Sequence, residues 1–373
     1  MPTGIDRVCL AYLAHYGPRS RAVVQKKGWQ HILDHGSSQR LFALLLDPTG
    51  DFRRQFTAFA ARRATWWARS EEARGELYLN IGHTGLDSPK LRPWIEQRDL
   101  RAIYFVHDLI PITHPQYCRP GEAERHGRRM DTVLASAAGV IGNSQYTLNC
   151  LAEFADQQRR PLPRSQVVAH LGNDLPPRSE AIRAADQKRP TFVMISTIEG
   201  RKNHLLMLQV WERLAQTLGD RTPQLLIVGQ RGWESEQALD FLDRAPALRP
   251  HVRELDRCSD GELTEHISQS AALLFPSLVE GYGLPLVEAL TQKTPVLVSD
   301  IPVFRELGGD IPDYIDPLDG PGWAQAICAY SEADGPARKA QVDRLANYAA
   351  PTWAAHFAKV DDWLGTVGDR LIS

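Results

Sequence analysis

Cysteine is scarce: the 373-residue chain has five, Cys9, Cys118, Cys150, Cys258 and Cys328, and no two stand as C-x-x-C. An odd, scattered set excludes a disulfide framework and a cysteine zinc site, and it fits a reducing compartment. No stretch approaches the roughly 18–20 apolar residues that a membrane-spanning helix needs. The opening MPTGIDRVCLAYLAHYG lacks the basic flank, apolar core and small-residue cleavage site of a secretory signal, so the expected location is the cytoplasm. No G-x-G-x-x-G follows a strand, which excludes the fingerprint of a dinucleotide-dependent oxidoreductase. No D-x-D stands at a convincing strand end, so no metal and no other cofactor is expected. Nothing repeats at a short period, and no segment is of low complexity.

What is present is an ordinary globular balance, 43% hydrophobic and 24% charged, in a length that suits two domains at roughly 100–200 residues each. The net charge of −2 hides a division. Residues 1–180 hold 24 Lys and Arg against 18 Asp and Glu, whereas residues 181–373 hold 19 against 27. A basic half suits an anionic substrate, an anionic membrane surface or a nucleic acid, and the count alone does not choose.

Short apolar runs alternate with amphipathic ones, as parallel α/β sheets covered by helices require. In the first half, strands are expected at Ala22–Gln25, Glu76–Ile81, Ala102–His107, Gly139–Gly142 and Gln166–Ala169. Helices are expected at Ile5–Tyr16, Phe52–Arg69, Pro120–Ala137 and Gln145–Ala155. The polar stretch Pro177–Pro190 reads as a linker between domains at 1–176 and 191–350. Beyond it, strands are expected at Thr191–Ser196, Gln224–Val228, His251–Leu255, Ala271–Phe275 and Val296–Ser299. Helices are expected at His204–Leu218, Glu234–Asp243, Asp260–Ser270, Pro285–Thr291 and Val303–Leu307. The chain closes on helical segments at Trp323–Tyr330 and Pro336–Leu371, with a break at Pro351 and residues 351–373 packing back on the first domain. Ligands of such sheets bind beyond the carboxyl ends of the strands, so the loops there are where chemistry is sought.

The most specific string is FPSLVEGYGLPLVEAL, Phe275 to Leu290. A strand ends, a turn carries Glu280, Gly281, Tyr282 and Gly283, and a helix containing Glu288 follows. Glycines let backbone approach a ligand, and the N–H groups at a helix start suit a phosphate. Taken as a bare E-x7-E spacing, the same residues also fit a solvated turn. The second motif, STIEGRKNH, puts Arg201 and Lys202 after the first strand of the second domain and beside a helix start, which makes an anion site. The third, YFVHDLIPITHP, ends a first-domain strand on His107 and Asp108. A lone strand-end histidine is as often a structural hydrogen-bonder.

Together the strings resemble those of the retaining glycosyltransferases of family 4. That resemblance implies the GT-B fold, two facing Rossmann-like domains with a cleft between them. It implies that Glu280 holds hydroxyls of a donor sugar and that Glu288 bonds the nucleotide ribose. The backbone of Gly281–Leu284 would lie near the sugar and diphosphate, and Gly229 in VGQRGW near the donor. Arg201 and Lys202 would hold the diphosphate, with Thr197 where many members have a further arginine, and His107 would lie near the sugar and leaving phosphate. Gly4 and Asp6, in TGIDR, and Asp108 are acceptor-side candidates. The resembling proteins have a strand before that first loop. Here only Met1 and Pro2 precede it, so the expectation is that this strand is absent from the chain.

HDLIPITHP and TGIDR are similar to segments of bacterial mannosyltransferases of surface polysaccharide assembly, which favours GDP-mannose as donor and a glycan or lipid-linked acceptor. A UDP-sugar donor is the alternative within the fold. A non-catalytic module binding anions or nucleic acid is the alternative outside it, though no nucleic-acid motif is present and none is expected to bind. In the stretch 52–70, aromatic residues at helical spacing lie among five arginines, which suits peripheral contact with the inner face of the plasma membrane. The same stretch also suits a core-packing helix with a basic outer face. The assignment predicts that Glu280→Ala and Lys202→Ala each lose most transfer while the fold survives; full activity in either refutes it.

Overall fold

Apolar runs of four to six residues with almost no polar interruption are what a parallel strand covered on both faces requires, and most strands of the two parallel sheets are built from them. The computed structural model describes residues 4–26, 28–47, 52–61, 72–177 and 189–369. By internal contacts the chain divides into two units, one of Met1–Thr113, Pro120–Leu171 and Trp353–Ser373, the other of His114–Arg119 and Gly172–Thr352.

The first unit opens with helix α1 (Gly4–Tyr16) and an antiparallel hairpin of β1 (Val23–Lys26) and β2 (Trp29–Ile32). Next come α2 (His35–Leu46), whose cap Asp34 accepts from the Ser37 N–H at 2.8 Å, and α3 (Phe52–Ala61). Residues 62–70 of the basic aromatic stretch lie outside the described residues, as does most of the linker at 177–190. Then follow β3 (Leu77–Asn80), α4 (Leu91–Gln97), β4 (Arg101–Val106), α5 (Ile110–Thr113), α6 (Glu122–Ser136), β5 (Ala137–Gly142), α7 (Gln145–Gln157) and β6 (Gln166–Val168). Strands β3 to β6 form a parallel sheet in sequential order.

The second unit runs β7 (Thr191–Ile195), α8 (His204–Leu218), β8 (Gln224–Val228), α9 (Glu236–Arg244), β9 (Val252–Leu255), α10 (Asp260–Gln269), β10 (Ala272–Phe275) and α11 (Leu284–Thr291). It ends with β11 (Val296–Ser299), α12 (Pro302–Gly308), β12 (Asp313–Ile315), α13 (Gly320–Ser331) and α14 (Pro336–Leu345). Local signals set the boundaries. At α10 a capping box is closed by Ser259 and Glu262, and Pro302 opens α12 at a position that needs no N–H. The parallel sheet has the order β12-β11-β10-β7-β8-β9. Winding therefore goes outward from β7 through β8 to β9, then returns to lay β10 on the other side of β7. That reversal is a topological switch point, where two neighbouring loops part company and leave a crevice at the carboxyl ends.

The last helix, α15 (Trp353–Asp369), belongs to the first unit. Asp361 accepts from Tyr16 and Arg19 and bonds His15, at 2.9–3.1 Å, all from the end of α1 or just beyond it. His356 is buried between the two helices. Its Nδ1–H donates to the His170 carbonyl at 2.9 Å, which leaves Nε2 to accept from the Tyr12 hydroxyl at 2.8 Å. Burial pulls its pKa down to about 4 from 6.5, against the backbone carbonyls that favour the charged ring. The unfolded chain therefore binds a proton that the folded chain refuses. Stability from this group is complete above pH 6.5 and is lost as pH falls towards 4. Urea titrations between pH 4.5 and 7 are expected to show a slope in the parent that His356→Gln reduces by up to about 1.4 kcal/mol per pH unit.

Candidate functional site

The loops that follow β7 and β10, side by side at the switch point, carry the charged residues that the sequence singles out. After β7 the chain makes one 3-10 turn, Gly200–Lys202, so Arg201 and Lys202 stand one turn ahead of α8 and not within it. Asn203 follows in a left-handed conformation, φ 60°. Its side-chain amide donates to the carbonyls of Pro276, at 3.1 Å, and Pro317, at 2.8 Å, and so ties the turn to the ends of β10 and β12. The Leu278 N–H adds a bond to the Arg201 carbonyl at 2.8 Å. On the other flank, Ile198 N–H donates to Gln230 O and Gly232 N–H to Ile198 O, lacing the loop after β7 to the loop after β8. A Cβ on Gly229 would lie 2.0 Å from the Ser196 carbonyl oxygen, so this lacing admits glycine alone.

These ties bring Arg201, Lys202 and Glu280 together. The Glu280 carboxylate is buried and accepts from Lys202 Nζ in a short contact and from Arg201 Nη1 at 3.2 Å. Arg201 also reaches Glu199, Nε to Oε2 at 3.3 Å. Burial pushes the Glu280 carboxyl upward, but Lys202 and then Arg201 outweigh it and hold it below the usual range. Burial likewise pulls the Lys202 ammonium down, against the pull of Glu280. His204, two positions after Lys202, is held neutral by burial and by Lys202, with a pKa of about 3, and adds no third cation.

The rest of the glycine turn supports this group. Gly281, Tyr282 and Gly283 are buried and Leu284 half-buried. Gly283 has φ 117°, and a Cβ there would meet the Phe304 ring at 2.8 Å. It caps α11, where Pro285 occupies the first turn. Glu288 is buried within α11.

His107, Asp108, Gly4 and Asp6 belong to the first unit. His107 is buried just beyond β4, and its Nε2–H donates to the Ile81 carbonyl at 2.7 Å, leaving Nδ1 as an acceptor. Asn143 donates to the His107 carbonyl at 2.8 Å and fixes the backbone. Burial lowers the His107 pKa. Asp108 accepts from the Ile110 N–H at 3.0 Å and starts α5. Gly4 and Asp6 are exposed in the first turn of α1. Sequence reasoning missed Glu199, the side-chain role of Asn203, and His83 and His126, whose rings lie 5.6 Å apart with His83 5.2 Å from His107. Asn203 alone left a signal, as a residue type at home in a left-handed cap.

Comparisons with known proteins bear on this arrangement. Residues 177–310 match the family model described as glycosyl transferases group 1, a span that contains Arg201, Lys202, Glu280 and Glu288. The chain is 32% identical over 237 residues to a serotype-specific mannosyltransferase WbdA of Escherichia coli, covering 55% of this chain and 27% of that protein. It is 25% identical over 232 residues to O-antigen chain mannosyltransferase B of E. coli, covering 61% and 60%. The chain thus spans about a quarter of the length of the first relative. Among solved structures, Anabaena Alr3699/HepE in complex with UDP superposes with a TM-score of 0.68 at 14% identity, covering 98% of this chain and 97% of that one. The likeness shows the fold, GT-B.

Removing one partner of a buried ion pair leaves an uncompensated charge and costs about 3–5 kcal/mol. A single alanine here is therefore expected to cost stability as well as transfer. Lys202→Ala is expected to lose stability in that range, and Lys202→Met combined with Glu280→Gln to regain more than half. Urea denaturation midpoints check it; an unchanged midpoint for Lys202→Ala would show that the pair does not hold these loops.

Proposed function

We propose that the chain is a retaining glycosyltransferase of family 4 that moves mannose from GDP-mannose to a glycan or lipid-linked acceptor in bacterial surface polysaccharide assembly. The observation that carries this reading is the Glu280 carboxylate gripped by Arg201 and Lys202 at the switch point of a parallel sheet. Two preset cations suit a departing diphosphate, because they meet the charge that develops as the glycosidic bond breaks without needing to reorganise. Glu280 lies against both cations and Glu199 against Arg201. A bound diphosphate takes over that role and frees Glu280 to accept from sugar hydroxyls. Glu280 thereby orients the sugar and is not a covalent nucleophile. Retention follows from attack on the same face, with the leaving phosphate receiving the acceptor's proton.

Glu288 serves the ribose, and Gly229 and the Gly281–Leu284 backbone serve the donor. His107, neutral and fixed by Ile81, serves the sugar and leaving phosphate through Nδ1, while Gly4, Asp6 and Asp108 stay on the acceptor side. The names of the two E. coli relatives favour mannose. The UDP bound to the Anabaena protein keeps a UDP-sugar as the second reading. Action in the cytoplasm at the inner membrane face suits a lipid-linked acceptor. No helix among the described residues is long and apolar enough to cross a membrane, and Phe56 of α3 is exposed beside Arg54.

Thermal-shift titration with GDP-mannose, UDP-glucose and ADP-glucose is expected to give the largest rise with GDP-mannose; a UDP-sugar leading instead selects the second reading, and no rise with any of them refutes both. Glu280→Gln is expected to lower transfer by about 10²–10³-fold while still binding GDP at pH 7. Without Glu280 the Lys202 pKa drops further. GDP binding by the variant, followed calorimetrically, should therefore fade at a lower pH than in the parent.

A further inference from the structure

Helix α6 lays one stripe against the loop that follows β3. Residues three and four apart on a helix share a face, so Arg125, Arg129 and Thr132 stand in line. Both end members of that line are tied to the loop. Arg125 Nε donates to Asp87 at 3.0 Å, and the Thr132 hydroxyl donates to the Leu86 carbonyl at 2.7 Å. Between them Arg129, half-buried, forms no hydrogen bond or ion pair among the described residues, and its Nε is closed off from solvent. Asp87 and Glu122 act on it through space, yet both carboxylates are bonded to Arg125. Burial, joined by the like charge of Arg125, pulls the Arg129 guanidinium below its usual pKa against those two acids.

A guanidinium drawn out of water without a partner costs stability, because its N–H groups give up solvent and gain nothing in return. The packing of α6 does not call for one, since Met130, Val133 and Leu134 supply its apolar buried face. Arg128, the exposed neighbour, carries no such cost. What sets Arg129 apart is its surroundings. His126 stands one turn before it on the same helix. The His83 ring is 5.6 Å from that of His126 and 5.2 Å from that of His107. The charge of Arg129 adds to the burial that keeps His83 and His126 neutral. The free guanidinium therefore lies beside the ring cluster that includes His107, at the carboxyl ends of β3 and β4. A sugar hydroxyl offers it one acceptor and leaves the charge unmet. A phosphate or carboxylate offers two oxygens to the planar fork together with the opposite charge.

We propose that Arg129 binds an oxyanion carried by the acceptor, a phosphate or a carboxylate on its sugar, and so presents that acceptor beside His107. Its assignment to an acceptor rests on the transferase reading above, in which the donor's diphosphate already has Arg201 and Lys202. The excess of cations in residues 1–180 has the sign that such an acceptor requires.

The test titrates the full chain with glucose 6-phosphate, glucuronate and uncharged glucose, followed by NMR at the His126 ring. A saturable shift is expected with an anionic sugar and none with glucose; the tighter of the two anions says whether the acceptor carries phosphate or an acidic sugar. Arg129→Gln is expected to weaken that binding about tenfold, as loss of a charge-assisted bond does, while its melting temperature holds or rises because an unpaired cation has gone. Arg129→Lys, which keeps the charge and loses the fork, should fall between Arg129→Gln and the parent. Arg128→Gln should bind as the parent does. No shift with either anion, an equal shift with glucose, or equal weakening by Arg128→Gln would overturn the proposal. Neither donor nor transfer enters these measurements, so failure of the transferase reading registers in the donor titration and not here.

Discussion

A carboxylate as deeply buried as Glu280 stays ionised only because two cations lie against it, and much of the loop structure of the second unit serves to keep them there. The left-handed Asn203 with its two carbonyl anchors, the Leu278–Arg201 bond and the side-chain-free approach of Gly229 to Ser196 are separate devices with one result. Each removes freedom from a loop that would otherwise let Lys202 turn to solvent. Because the sheet reverses its winding between β7 and β10, these loops lie at the carboxyl ends of the strands beside a topological switch point.

Much of this was legible in the sequence, though unevenly. The strands of the second unit stand out because parallel strands covered on both faces must be continuous apolar runs; Ala272–Phe275 and Val296–Ser299 are buried at every position. The glycine turn and the Arg201-Lys202 pair were visible as strings. That their charges meet was not, since Lys202 and Glu280 stand 78 positions apart and are brought together only by sheet order. The alternation gave no sign of α2, α4, α5, β2 or β12. Helix α4 is seven residues long with Pro93 in its first turn, where proline is tolerated but reads as a break. Strand β12, Asp313–Ile315, is three half-buried residues at a sheet edge and has no periodicity to detect. Helix α2 did carry a signal in its Asp34 cap, and its single turn of apolar spacing was too short to weigh.

The histidines follow the same logic. His107 drew notice through its motif. His83 and His126 stand in unremarkable strings, yet each donates from Nε2 to a backbone carbonyl, of Phe105 at 2.9 Å and Asp108 at 3.0 Å. Burial, first among several causes, depresses the pKa of all three. His83 and His126 act as neutral struts for the chain around β4. Only the fold distinguishes a strut from a reactive group, because both require a histidine at a strand end or on a helix face.

The clasp of α15 by α1 carries a consequence for how the chain is made. Tyr12, His15, Tyr16 and Arg19 find their partners at His356 and Asp361, some 342 to 346 residues later. On a ribosome the first unit emerges long before those partners exist, whereas the second unit can close on a nearly continuous stretch of sequence. The order of completion is therefore reversed. The unit that is synthesised first finishes last, and until then the aromatic face of α1 is a sticky surface that holding chaperones would be expected to cover.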